Sequence, residues 1–174
     1  MNFFTADEHY NHSNIISRFV FRNFRDSESM NAELIKRHNS RVGERDTVYH
    51  CGDFKLSSDG PNIHELIKQL NGRHVFIQGN HDKRNGTNTC LKYGIIELFN
   101  TGIILAHRPE DAVDMMRLCG IRMAFCGHVH EKWKFLKTDS GLLVNVGVDQ
   151  WDYYPVDPKQ IFKAIKKEGY ERSL

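Results

Sequence analysis

The 174-residue chain holds no run of about 20 apolar side chains, so it offers nothing that would cross a bilayer as a helix. It has no basic segment followed by a cleavable apolar stretch, because Met1 leads directly into "NFFTADEH", and a cytoplasmic location is the expectation. Cysteine is scarce. The four at positions 51, 90, 119 and 126 form no C-x-x-C pair, which argues against a disulfide framework or a thiolate cluster. They are expected to be reduced, two of them buried in strands. Charge of one sign is also lacking: 24 Lys and Arg face 22 Asp and Glu, interspersed, with no basic block. That balance leaves both nucleic acids and small anions open as partners. Repeats, low-complexity tracts and linkers are absent, so residues 1–174 are expected to form one domain.

Histidine is what the chain has in excess, with ten residues. Their positions matter once the strands are located. Short apolar runs at 2–6 ("NFFTA"), 47–51 ("TVYHC"), 74–78 ("HVFIQ"), 102–106 ("GIILA"), 123–126 ("MAFC") and 142–146 ("LLVNV") have the length and composition of buried strands. Helical spacing appears between them. Ile63, Leu66, Ile67 and Leu70 predict a helix over 61–70 with Pro61 in its first turn, and Met30, Leu34 and Ile35 predict one over 28–41. Asp157 as N-cap, Pro158 after it, and Ile161, Phe162 and Ile165 on one face predict a third over 157–168. Strands alternating with helices imply an α/β domain with largely parallel pairing, with room for antiparallel hairpins within 95–126 and 133–146.

In open α/β sheets ligands bind beyond the carboxyl ends of strands. Five of the apolar runs are followed by residues suited to coordination: Asp7-Glu8-His9, Gly52-Asp53, Gly79-Asn80-His81-Asp82, His107, and Gly127-His128-Val129-His130. Residues two apart in an extended chain point the same way, so Asp7 with His9, and His128 with His130, each aim two side chains at one pocket. Glycines at 52, 79 and 127 allow tight turns and close backbone approach. Imidazole, carboxylate and carboxamide donors without thiolate suit Mn, Fe, Zn, Ni or Co, and there are too many for one ion.

The ordered blocks "DEH", "GD", "GNHD", His107 and "GHVH" resemble the signature of the calcineurin-like metallophosphoesterase superfamily. The flanking "DEHYNHSNII" and "NVGVDQWDYYPV" resemble a compact bacterial and phage subgroup. The resemblance implies a four-layer α-β-β-α sandwich of two mixed sheets flanked by helices. It implies two divalent ions, one held by Asp7, His9, Asp53 and His130, the other by Asn80, His107 and His128, with Asp53 bridging. It further implies in-line attack on a phosphate ester by a bridging hydroxide, with His81 as general acid oriented by Asp82.

The substrates implied are phosphate esters, nucleotides and nucleic acids among them. The second block reads "GDFKLSSDG" and lacks the Asp-Arg pair of the protein phosphatases, which argues against that activity. The lack of room for the cap or extra domains of larger members implies a small open site, so a phosphodiesterase is favoured over a phosphomonoesterase or nucleotide phosphatase. A catalytically silent scaffold is the competing expectation, but no motif residue is missing. His12 and Arg108 are within sequence reach of a phosphate oxygen, whereas Lys83 and Arg84 have the character of a solvated basic loop. Trp133, Trp151, Tyr153 and Tyr154 are expected to pack in the core or rim, with stacking on a base as the alternative. His38, His64 and His74 are expected at the surface or in packing, and His50 in the strand.

Overall fold

The structure is a computed structural model that describes residues 1–18, 22–56, 60–82 and 91–170. Lys83, Arg84 and Cys90 lie outside these. One sheet consists of β1 (Asn2–Thr5), β2 (Thr47–Cys51) and β3 (Arg73–Ile77), in that order and all parallel. An antiparallel bridge from Phe4 to Val156 extends its β1 edge. The second sheet has five strands: β4 (Tyr93–Leu98), β5 (Thr101–Ala106), β6 (Met123–Cys126), β7 (Phe135–Thr138) and β8 (Gly141–Asn145), in the order β4-β5-β6-β8-β7. Its centre is parallel, and the hairpins β4-β5 and β7-β8 are antiparallel, where the close spacing of the later runs predicted hairpins.

The two sheets face each other. Phe4, Cys51 and Ile77 from the first meet Ile103, Leu105, Met123, Phe125 and Val144 from the second in one buried core. The opposite face of each sheet carries helices. Met30 and Leu34 of α2 (Ser27–Arg41) and Ile63 and Leu66 of α3 (Ile63–Ile67) cover the first sheet together with Ile15 of α1 (Ser13–Arg18). Ala112 and Met116 of α4 (Pro109–Cys119) pack on Ile104, Ala124 and Leu143 of the second. This gives the α-β-β-α layering. Ile161 and Ile165 of α5 (Pro158–Lys167) close the edge of the central core. Among the described residues no helix is long and apolar enough to span a membrane.

Local chemistry accounts for the element boundaries. Asp157 caps α5 through Gln160 N, with Pro158 at the first position as expected. The predicted 61–70 helix is shorter because Asn62 takes the cap, accepting from Glu65 N, so Pro61 precedes the helix instead of opening it. Helices α1 and α4 were not anticipated. For α4 the signals are present in Pro109, in Glu110 and Asp111 of the first turn, and in Gly120 with φ +67 at its end. Cys51 and Cys126 are buried strand residues, as expected, while Cys119 is exposed.

Candidate metal centre

Every residue singled out as a ligand follows the carboxyl end of a strand: Asp7 and His9 after β1, Asp53 after β2, Asn80 after β3, His107 after β5, and His128 and His130 after β6. Loop-to-loop hydrogen bonds gather them. Asp7 N donates to Gly52 O and His9 N to Asp53 O, each at 3.0 Å, and Gly127 N donates to His107 O at 3.0 Å. The Asp7 carboxylate accepts from His128 N at 2.8 Å, joining the first sheet's loop to the second's.

Asp7, His9, Asp53, His128 and His130 all have φ between +48 and +72. Left-handed backbone at a residue with a side chain costs of order 1–3 kcal/mol, and such strain gathers at sites where it serves a purpose. It also changes the expected geometry. Asp7 and His9 do converge, but neither pair is extended, and His128 and His130 aim at different neighbours. The donor atoms form two groups, Asp7 with His9 and His130, and Asp53 with His107 and His128. Asn80 joins the second, its Oδ1 lying 3.0 Å from His107 Nε2. Asp53 Oδ2 lies between the groups, 3.3 Å from His107 Nε2 and 3.7 Å from His9 Nε2.

Close approach explains two of the glycines. A Cβ on Gly79 would stand 2.1 Å from Asp53 Oδ1, and one on Gly127 would stand 2.5 Å from Asp7 Oδ2. No side chain fits at either.

The donor set fits divalent cations. His9 Nε2 is buried and has no hydrogen-bond partner, although an imidazole nitrogen kept from water normally finds one. Burial raises Asp7 to about 6 despite nearby His107 and His130. Burial disfavours charge on His107 too, yet the Asp53 hydrogen bond and the charges of Asp7 and Asp53 lift it to about 9. Two dry carboxylates thus draw positive charge to this spot. Burial keeps His9 and His128 neutral, the form that coordinates.

His81 lies exposed at the rim, its ring 5.5 Å from that of His9, and its N donates to Asp53 Oδ1 at 2.8 Å. Asp82 is buried and accepts from the amides of Asp53, Gly79 and Phe54 at 2.8 to 3.0 Å, which locks the turn carrying His81. Half-buried His12 faces the same group, with Nδ1 3.3 Å from His9 Nδ1 and its ring 6.3 Å from that of His81. Arg108 is the N-cap residue of α4 and makes no side-chain cap bond. With Lys92 and Tyr93 it lines a cleft of about 230 Å³ that opens from Asn80 and His107.

Other expectations resolve as packing. Trp151 joins the central core and donates to Asn145 O at 2.8 Å, Trp133 packs on the α4 side, Tyr153 packs against Phe24, and the Arg41 guanidinium lies 4.0 Å from the Tyr154 ring. His64 is exposed. His38 and His74 are packing residues, one of the two expected outcomes, in a histidine layer on the helix-covered face of the first sheet. There His50 bridges Glu8 Oε1 at 2.5 Å and His74 Nδ1 at 2.9 Å.

Two residues around the site escaped the sequence reading, Arg22 and Asp149, while Glu8, the middle of the "DEH" block, faces His50 instead of the donor groups. Asp149 follows "LLVNV" as the ligands follow their own strands, so the same rule reaches it. Arg22 carries no local signal, since its partner is 127 residues away.

A model of the calcineurin-like phosphoesterase superfamily domain matches residues 6–154. An uncharacterised protein of Methanocaldococcus jannaschii is 34% identical over 174 residues, covering 97% of this chain and 93% of that protein. The gene 66 protein of Mycobacterium phage L5 is 39% identical, covering 85% of this chain and 86% of its own. A crystal structure of a protein of unknown function from Aquifex aeolicus superimposes with a TM-score of 0.75 at 25% identity, over 95% of this chain and 99% of that one.

Proposed function

The chain belongs to the calcineurin-like phosphoesterase superfamily, and from that premise we propose that it is a metal-dependent phosphoesterase with a dinuclear centre, acting on phosphodiesters. One observation carries the reading: a single oxygen of Asp53 stands between two separate groups of nitrogen and oxygen donors. Asp7, His9 and His130 would hold one divalent ion, Asn80, His107 and His128 the other, and Asp53 both. Mn, Fe, Zn, Ni and Co all suit the set.

When bound, two such ions supply Lewis acidity toward the phosphate oxygens and acidify water toward neutral pH. The chain's residues do the rest. Asp7 and Asp53 contribute only two negative charges, so the loaded site keeps a net positive charge that attracts an anionic ester. His81, in its protonated form, donates to the leaving alkoxide, a step worth about 10² to 10⁴ in rate. Asp82 positions His81 by fixing the turn between Gly79 and Asp82, and no serine or cysteine nucleophile is required. His12 and Arg108 would donate to nonbridging oxygens, with the Arg108 cleft receiving the ester's second substituent. An open rim, formed by exposed His81 and half-buried His128 and His130, favours a diester with a group on each side over a small enclosed monoester.

The test is metal-free protein reconstituted with Mn, Ni, Zn or Mg and offered bis-p-nitrophenyl phosphate beside p-nitrophenyl phosphate. Metal-stimulated hydrolysis with the diester preferred is expected. Monoester preference overturns the diester assignment, and no hydrolysis with any metal favours a silent scaffold.

A further inference from the structure

The two donor groups are supported unequally. His128 is half-buried, and among the described residues its ring meets only that of His107, at 5.1 Å. His107 is steadied by one backbone acceptor, Cys51 O, at 2.9 Å from Nδ1. His130 instead presents Nδ1 to Asp149 Oδ2 at 2.8 Å. Both Asp149 oxygens in turn accept from Arg22, Oδ1 from Nε and Oδ2 from Nη2, each at 2.9 Å. The two side chains are dry, 0% and 2% exposed. Arg22 reaches further, donating from Nη1 to Glu8 O at 2.9 Å and from Nη2 to Asp7 O, with Met30 Sδ 3.7 Å from Nη1. All five guanidinium N–H groups thus have an acceptor.

We propose that Arg22 and Asp149 are positioning residues for the Asp7/His9/His130 ion position, and for that position alone; this rests on the two-ion reading above. Asp149 holds the proton of His130 on Nδ1 and so presents the Nε2 lone pair to the ion, fixing tautomer and ring orientation together. Arg22 neutralises Asp149 and engages both of its oxygens, so this carboxylate stays an orienting group and not a competing ligand. The same guanidinium fork pins the carbonyls of Asp7 and Glu8, setting the left-handed backbone from which Asp7 and His9 reach the site. A lysine cannot reproduce this planar, multidentate contact.

The experiment measures Mn²⁺ affinity by calorimetry on metal-free protein in two backgrounds. His128→Ala leaves the Asp7/His9/His130 position, and His130→Ala leaves the other. Into each is introduced the pair Arg22→Met with Asp149→Leu, which removes both charges at once; replacing a buried ion pair by apolar groups of similar volume is often neutral for folding. The pair is expected to raise the Kd about 10- to 100-fold in the His128→Ala background, the usual effect of losing an orienting partner, and to leave it unchanged in the His130→Ala background. Asp149→Asn, which keeps an acceptor for His130, is expected to restore part of the loss. Equal weakening in both backgrounds, as a purely structural role would give, overturns the assignment. So does an unchanged Kd in the His128→Ala background. Wild-type protein that binds no Mn²⁺ overturns the two-ion reading itself, whereas two ions bound without hydrolysis leaves the positioning role standing and removes only the catalytic one.

Discussion

Asp53 Oδ2 stands 3.3 Å from His107 Nε2, with His9 Nε2 at 3.7 Å, so one carboxylate oxygen lies beside both donor groups. Removing it should cost more than any single imidazole. Asp53→Ala is predicted to fall below two ions per chain by elemental analysis after dialysis against Mn²⁺. Two ions retained in that variant would contradict the bridging position.

His81 touches the site from its rim and is not among either donor group. His81→Ala should therefore keep both ions. Its turnover of an alkyl diester, whose leaving group needs a proton, is predicted to drop about 10² to 10⁴-fold, while a p-nitrophenyl ester falls far less. Equal losses on the two substrates would count against a general acid.

The Gly79 Cβ position is occupied by Asp53, at 2.1 Å from Oδ1 and 2.2 Å from N, whereas a Cβ on Gly94 meets nothing nearer than 3.5 Å. Gly79→Ala is predicted to destabilise the protein by about 1–3 kcal/mol, as overpacking does, and to weaken ion binding. Gly94→Ala serves as the control. Urea midpoints that match between the two variants would show that the close approach is not required.

The histidine layer beneath the first sheet predicts acid sensitivity. Burial lowers His38 and His50 from 6.5 to about 3, and burial raises Glu8 from 4.5 to about 8. Between pH 6.5 and 4.5 the unfolded chain holds protons on both histidines that the folded chain lacks, while Glu8 holds one only when folded. Two taken up against one released means that unfolding binds protons, so these groups lower stability as pH falls, more steeply below 4.5 where the Glu8 difference ends. His38→Gln should flatten that decline in urea unfolding between pH 7 and 5. An unchanged slope would place the sensitivity elsewhere.

How far the chain's own order reveals all this differs by feature. Strands were legible because a buried strand is a short apolar run, and "MAFC" marks β6 at both ends. The two donor groups were legible because coordination requires particular residue types and the fold gathers them at strand ends. Helix α4 was masked by exposed Leu118 and by the apolar strands on either side, whose close spacing suggested hairpins within 95–126. Left-handed backbone at Asp7, His9, Asp53, His128 and His130 falls on residue types that tolerate it better than most but adopt it in a small minority of cases, so tertiary contacts impose it and local pattern does not announce it. Arg22 and Asp149 meet only after the chain has folded, and Arg22 looks like any surface arginine until it is found dry.

Two ions on Asp53 and its flanking donors would make this site a phosphoesterase. Titrating metal-free protein with Mn²⁺ while following bis-p-nitrophenyl phosphate hydrolysis tests it most directly. No hydrolysis is expected without metal, with a rise that saturates at two ions per chain. Hydrolysis that persists in the metal-free protein, or that saturates at one ion, would contradict it.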